Sequence, residues 1–496
     1  MQFEPKQTVG DYPSIAKLVL LASFGCLLGL GVFLLSGKET RWFLAPLLAL
    51  AGAVFILVVP QRKKVLTAIF VLSFQVDIYV RFLYGHAGSN EGLSLSLVVA
   101  AGAVLAGWYY FSGNIRVFSW GGSLRWIIAV LLSIMLVSAV TSSERFAGLS
   151  TIFTTLQYYF LYWLAFNITR TQDDFRRIAV LLLIILGTQS IVYFVQSALG
   201  ITFDFLGNTI AEEEVPRPGG TVSANPAGFV SFIMPALMIA SAVAVSKHRR
   251  VLGHFAIPLM FMGLAAVGLS FTRAAWVGLV FGFAAIVIIG ARNRWLNVRM
   301  ITIVGCVAVV GILALLPKMF DRVSSDYGTG GVDGTVESYK ERMGLNLIAI
   351  NVIAHHPLLG IGPGAYPHVF KQYVPAGLNQ WLFTVHNVFL LWAAETGIPG
   401  GITFIALLFV GLRIALRLSR GPPTFISICA TGWLAAMIVL IWMMFWAAWI
   451  GVSYNAMFWF MLGLMDGAQR LVNFEKNSNS RVRSNNLRYQ HRGTIN

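Results

Sequence analysis

The sequence predicts an all-α, polytopic membrane protein, and three observations lead there. Of its 496 residues, 57% are hydrophobic and only 11% are charged. Soluble globular chains carry about 25% charged residues, so a soluble fold is excluded. Apolar runs of the length that crosses a bilayer, about 20 residues each, recur along the whole chain. The basic residues gather in alternate connecting segments, which is the positive-inside bias of membrane proteins. The net charge of +16 is therefore a topology signal and does not point to nucleic acid.

About fourteen spans of bridging length fit the chain. The first two are 15–36 and 42–59; the first run follows the polar start Met1–Pro13 and lacks a small-residue cleavage site, so it reads as a retained helix. The third, 65–83, holds Asp77 and Arg81 four residues apart, the spacing of an ion pair on one helix face. Spans at 93–111, 124–141, 151–168 and 178–199 follow. An external segment, Gly200–Ala224, carries Glu212, Glu213 and Glu214. Further spans are 225–246, 251–271, 274–290 and 300–316, with Arg273 at the external turn Ser270-Phe-Thr-Arg273.

The longest hydrophilic stretch comes next, Pro317–Val385; a connection of that length is usually functional or disordered. Within it, 336–356 is helical in pattern, with Met343, Leu347, Ile350 and Ala354 at helical spacing. Such a stripe suits a helix that lies on the membrane surface or caps a cavity. The last spans are 387–412, 424–446 and 455–470, where Asp466 and Arg470 again have ion-pair spacing. The Asn- and Arg-rich tail after Asn473 reads as disordered. These features divide the chain into N-terminal helices (1–224), helices around the Arg273 turn (225–316), the large external loop (317–385), the C-terminal helices (386–470) and a tail (471–496). An even number of spans puts both termini on one side, which the Lys/Arg bias makes the cytoplasm. That basic face also attracts anionic membrane lipid.

Ionisable groups at membrane depth are functional candidates by default. The most informative stretch is Thr384-Val-His386-Asn387, an apolar run, Glu395-Thr-Gly397-Ile-Pro399-Gly400. Pro399 removes a backbone donor and is expected to kink the helix there. His386 either caps the helix beside Thr384 and Asn387 or acts as a base or ligand; the positive helix start favours its neutral form, the form a base needs. Glu395, nine residues on, faces away from His386 on a straight helix; it braces the break or pairs with an arginine. Arg273 either snorkels to the interface or offers a planar fork to a phosphate. Arg342 fits a solvated salt-bridge face beside Lys340 and Glu341. The adjacent His355 and His356 lack the spacing of a zinc site and suit a turn. Cys26, Cys306 and Cys429 lie far apart in apolar runs and define no disulfide framework. There is no Walker loop or Gly-x-Ser-x-Gly elbow. The external segments contain no Asp-x-Asp pair, so a nucleotide-fuelled reaction there is disfavoured.

His386-Asn387, nine residues, Gly397, two residues, Gly400 resembles the signature of the bacterial O-antigen ligase family and its polysaccharide-polymerase relatives. His356-Pro-Leu-Leu-Gly360-Ile-Gly362-Pro-Gly364-Ala-Tyr366 is similar to the segment leading into that signature, and the Arg273 turn to an earlier arginine stretch of the family. The resemblance covers roughly 225–470. It implies a glycosyltransferase of GT-C-like architecture in the bacterial inner membrane, active on the periplasmic face without a metal or cofactor. The donor would be an undecaprenyl-pyrophosphate-linked glycan and the acceptor a hydroxyl of a glycan or glycolipid such as the lipid A core, with a chain-length regulator as a further partner. By the same resemblance Arg273 and Arg342 would grip the pyrophosphate and His386 would act on the acceptor hydroxyl. Asn387, Glu395 and Tyr366 complete the expected substrate-binding set. Ligation, repeat-unit polymerisation and transfer to protein share the motif. A flippase for lipid-linked glycans is the rival from another class; its charges would sit midway along several helices, whereas here they cluster at the external ends of helices, with Asp77 and Arg81 the main exception.

Overall fold

The computed structural model describes residues 61–76, 78–84, 92–113, 118–201, 218–223, 225–247, 250–306, 310, 313, 332–376, 384–447 and 451–492. The chain divides into two units, 1–66 and 67–496. The expected spans 15–36 and 42–59 and most of Gly200–Ala224 lie outside the described residues, as does most of the second half of 300–316.

Thirteen helices have described bounds: α1 (Arg62–Leu72), α2 (Leu97–Phe111), α3 (Arg125–Thr141), α4 (Arg145–Ile168), α5 (Gln172–Leu199), α6 (Pro226–Ala244), α7 (Arg250–Leu269), α8 (Arg273–Arg292), α9 (Val332–His355), the short α10 (Tyr366–Val369), α11 (Val388–Ser419), α12 (Phe425–Met444) and α13 (Val452–Arg492). Six of them, α5 to α8, α11 and α12, are long and apolar enough to cross a membrane. The protein is thus a predominantly helical, multi-pass membrane protein. Helices α6 and α12 lie at its centre, buried along almost their whole length, and α8, α11 and α13 pack around them.

The third expected span is corrected. After α1 and a short 3-10 turn the chain forms strand β1 (Tyr79–Tyr84), which pairs antiparallel with β2 (Gly92–Ser96), placing Arg81 opposite Ser94. Tyr79-Val-Arg-Phe82 is rich in the aromatic and β-branched residues that suit a pleated strand, and a short apolar run does not by itself separate helix from strand. Asp77, the other half of the expected pair, lies outside the described residues. Gln157 of α4 grips the backbone of β2: its Nε2 donates to Ser94 O (2.7 Å) and its Oε1 accepts from Ser96 N (3.4 Å).

The expected Asp466–Arg470 pair is also replaced by something else. The Asp466 carboxylate accepts from the Tyr162 hydroxyl at 2.6 Å, from the Ser123 side chain, and from the backbone N–H groups of Ser123 and Leu124 at the start of α3. A carboxylate belongs at the positive N-terminal end of a helix. Arg470 instead donates to Phe166 O (3.0 Å) and Thr169 O (3.1 Å), carbonyls left open at the C-terminal end of α4. Two side chains of α13 thus tie off opposite ends of α3 and α4. Asp466→Ala strands three kinds of donor in a buried place and is expected to cost about 2 kcal/mol. The check is the thermal midpoint of purified protein in detergent, where Asp466→Asn, which keeps an acceptor, should fall less far.

The expected disordered tail is likewise different: α13 continues without interruption to Arg492. No proline interrupts 471–492, and extending an existing helix avoids the cost of nucleating one.

Candidate active site

The site is built on a helix broken in the middle. Helix α11 starts with Asn387 as its cap, whose Oδ1 accepts from Phe389 N (3.1 Å) and Leu390 N (3.2 Å). Of the residues expected at this helix start, Asn387 does the capping, which leaves the imidazole of His386 for other work. The helix then breaks at Gly397, whose φ of 74° and ψ of 173° are open only to glycine. This corrects the sequence reading, which placed the kink at Pro399. Pro399 lies in the first turn of the second half-helix, where its missing N–H costs nothing.

A break leaves carbonyls of the first half and N–H groups of the second without helical partners. The Gly-rich segment after α9 supplies them. Ile361 N donates to Ala394 O (3.0 Å), Gly362 N to Glu395 O (2.9 Å), and Ile398 N to Pro357 O (2.8 Å). Approach this close requires glycine: a Cβ on Gly360 would lie 2.4 Å from the Glu395 carbonyl oxygen. Two hydroxyls complete the lock, Ser138 Oγ of α3 donating to Leu359 O (2.6 Å) and Ser142 Oγ, just past the end of α3, to Ile361 O (2.6 Å). Sequence reasoning missed both, because a serine in or at the end of an apolar helix carries no signal of its partner.

The Glu395 side chain turns to the same segment, where its carboxylate accepts the backbone N–H groups of Gly364 and Tyr366. It therefore braces the break, one of the two roles foreseen, and is not part of a dyad with His386. The Tyr366 ring is fully buried and stacks on Phe370 at 5.7 Å, and its hydroxyl has no hydrogen-bond partner among the described residues. Burial, and next the Glu395 charge, push its proton affinity well above that of an ordinary tyrosine.

Helix α9 carries Arg342 and packs on the first half of α11 through one core of Leu345, Ile348, Ala349, Val352, Leu391 and Ala394. This packing brings Arg342 to His386. His386 is half-buried, and its Nδ1 is buried without a hydrogen-bond partner among the described residues. Its pKa is lowered, first by burial and then by the Arg342 charge, against an opposing contact with the Thr384 backbone. The imidazole is thus held neutral near pH 7. Arg273 occupies a different turn, as the first residue of α8 after Phe271, whose φ is 52°; its side chain is half-buried.

The two histidines before the Gly-rich segment serve its geometry. His356 Nε2 lies 2.6 Å from the Tyr373 hydroxyl, His355 Nδ1 lies 2.8 Å from Asn351 O, and Asn351 Nδ2 donates to Tyr373 O at 2.8 Å. No three His, Cys, Asp or Glu side chains come together as metal ligands among the described residues.

The start and the break of α11, its Gly-rich partner and the Arg273 turn all fall within residues 258–405, which match the family model described as O-antigen ligase. Over those residues the chain is similar to the O-antigen ligase family, which supports a function of the ligase or polymerase type in the broad sense. No curated protein matches the chain.

Proposed function

We propose that the protein is an O-antigen ligase-type glycosyltransferase of the bacterial inner membrane. It moves an undecaprenyl-pyrophosphate-linked glycan onto a hydroxyl of a glycan acceptor, the lipid A core, on the periplasmic face. The observation that carries this reading is the placement of His386, whose Nδ1 is buried without a hydrogen-bond partner among the described residues, within reach of the Arg342 charge on α9. A neutral imidazole accepts the proton of the acceptor hydroxyl as its oxygen attacks the anomeric carbon. The bond from that carbon to the pyrophosphate oxygen breaks, and the pyrophosphate leaves with the electron pair. The guanidinium groups of Arg342 and Arg273 stabilise the charge that grows there, so the step needs neither a nucleotide nor a cofactor. Glu395, Tyr366 and Asn387, expected as substrate-binding residues, instead hold the frame on which these groups sit. In this reading the chain has about fourteen spans in a GT-C-like arrangement, both termini in the cytoplasm, and a chain-length regulator as a partner.

The test is the lipid-linked and surface glycan profile of a strain lacking the gene. Long chains stranded on the carrier, with bare acceptor at the surface, are the expected result. Single repeat units on the carrier would make the protein a polymerase of the same family. An unchanged profile would overturn the proposal.

A further inference from the structure

Helix α9 has two apolar faces where a water-washed helix has one. Leu345, Ile348, Ala349 and Val352 are at most 3% exposed and face the core. On the opposite side Met343, Leu347 and Ile350 are 46%, 49% and 50% exposed, and Ala354 is exposed with them. At 3.6 residues per turn these four fall within about 60° of one another. Arg342 and Asn346 border the exposed stripe on one flank, and Asn351 and His355 on the other. A helix that is apolar on both sides is enclosed by apolar surroundings on both sides.

The surroundings of the outer face follow from what it joins. Beyond Ala354 the stripe continues through Leu358, 72% exposed, to Ile398, Ile402, Ile405 and Phe409, exposed by 45% to 63% on the second half of α11. The junction is tight, with Ile398 N donating to Pro357 O at 2.8 Å. Helix α11 is long and apolar enough to cross a membrane; with α11 in the bilayer its exposed apolar face meets lipid, and the stripe on α9 prolongs that face.

We infer that α9 docks on the bilayer itself, with Met343, Leu347, Ile350 and Ala354 set among the acyl chains of the adjoining leaflet. The neighbouring Arg342 then lies at the depth of the lipid phosphates, and a lipid-borne phosphate reaches it by sliding sideways within the leaflet. That last consequence rests on the proposed function; the docking does not.

Nitroxide labels at Leu347→Cys and, separately, Ile350→Cys test it, in full-length protein with Cys26 and Cys306 replaced by serine. The protein is placed in nanodiscs of phosphatidylethanolamine and phosphatidylglycerol. Ile402→Cys serves as the lipid reference and the exposed Lys371→Cys as the water reference. Labels at 347 and 350 are expected to collide severalfold more often with oxygen than with a water-soluble nickel chelate, as the label at 402 does. A nickel preference like that at 371 overturns the inference. So does shielding from both reagents, which would mean that protein covers the stripe. The readout needs no substrate, so a failed glycan-transfer assay leaves it intact.

Discussion

Replacing His386 by alanine is expected to lower glycan transfer by at least 100-fold, the lower end of what a positioned base contributes, while insertion and yield stay normal. The pH dependence adds a sharper check. Transfer needs the neutral imidazole, so activity rises with pH as His386 loses its proton. Burial and the Arg342 charge lower the pKa of His386, so the acid limb of the profile should lie below the ordinary histidine value of about 6.5. Arg342→Gln removes one of the two causes, and its acid limb should move toward higher pH alongside a weaker grip on the donor. The same shift has a consequence for stability. Between the lowered folded pKa and the ordinary value, the unfolded chain binds more protons than the folded one. His386 thus costs the fold stability as pH falls through that window, and His386→Ala should flatten the loss. Normal transfer by His386→Ala, measured with lipid-linked glycan as donor, would remove His386 from the chemistry.

What was legible in the sequence followed from side-chain type and period. The long apolar runs 178–199, 225–246 and 424–446 became α5, α6 and α12 because a helix of that composition has one stable place to be. His386 and Gly397 stood out because a polar pair and a helix breaker interrupt an apolar run. Contacts between distant segments were not legible. Asp466 and Arg470 have the spacing of a pair, yet each finds an open helix end on another element, and no local rule weighs such an end against a neighbour four residues away. The stripe on α9 was visible as a period, but only packing against α11 decides which of two apolar faces turns inward. Ser138 and Ser142 lie more than 200 residues from the carbonyls they hold, a distance over which pattern says nothing.

The second large effect is expected at the helix break, where the sequence reading and the structure name different residues. If Pro399 made the break, Pro399→Ala would let α11 close into one straight helix and pull the Gly-rich segment off it. In the structure Gly397 makes the break and Pro399 merely starts the second half, so Pro399→Ala should keep both fold and transfer. Gly397→Ala should lose both. Its φ of 74° with ψ of 173° lies in a region essentially closed to side chains, at a cost of order 1–3 kcal/mol. An added Cβ would also stand 2.3 Å from the Leu358 carbonyl oxygen, which is backbone and cannot turn aside. Relief requires the 357–362 segment to lift from the break. Ala394 O and Glu395 O then lose the N–H groups of Ile361 and Gly362, buried partners worth about 1–3 kcal/mol each when left unmade. Lifting the segment also moves α9, and with α9 the Arg342 charge beside His386. The two variants therefore separate at every level: thermal midpoint, transfer rate and the position of the acid limb should change together in Gly397→Ala and stay unchanged in Pro399→Ala.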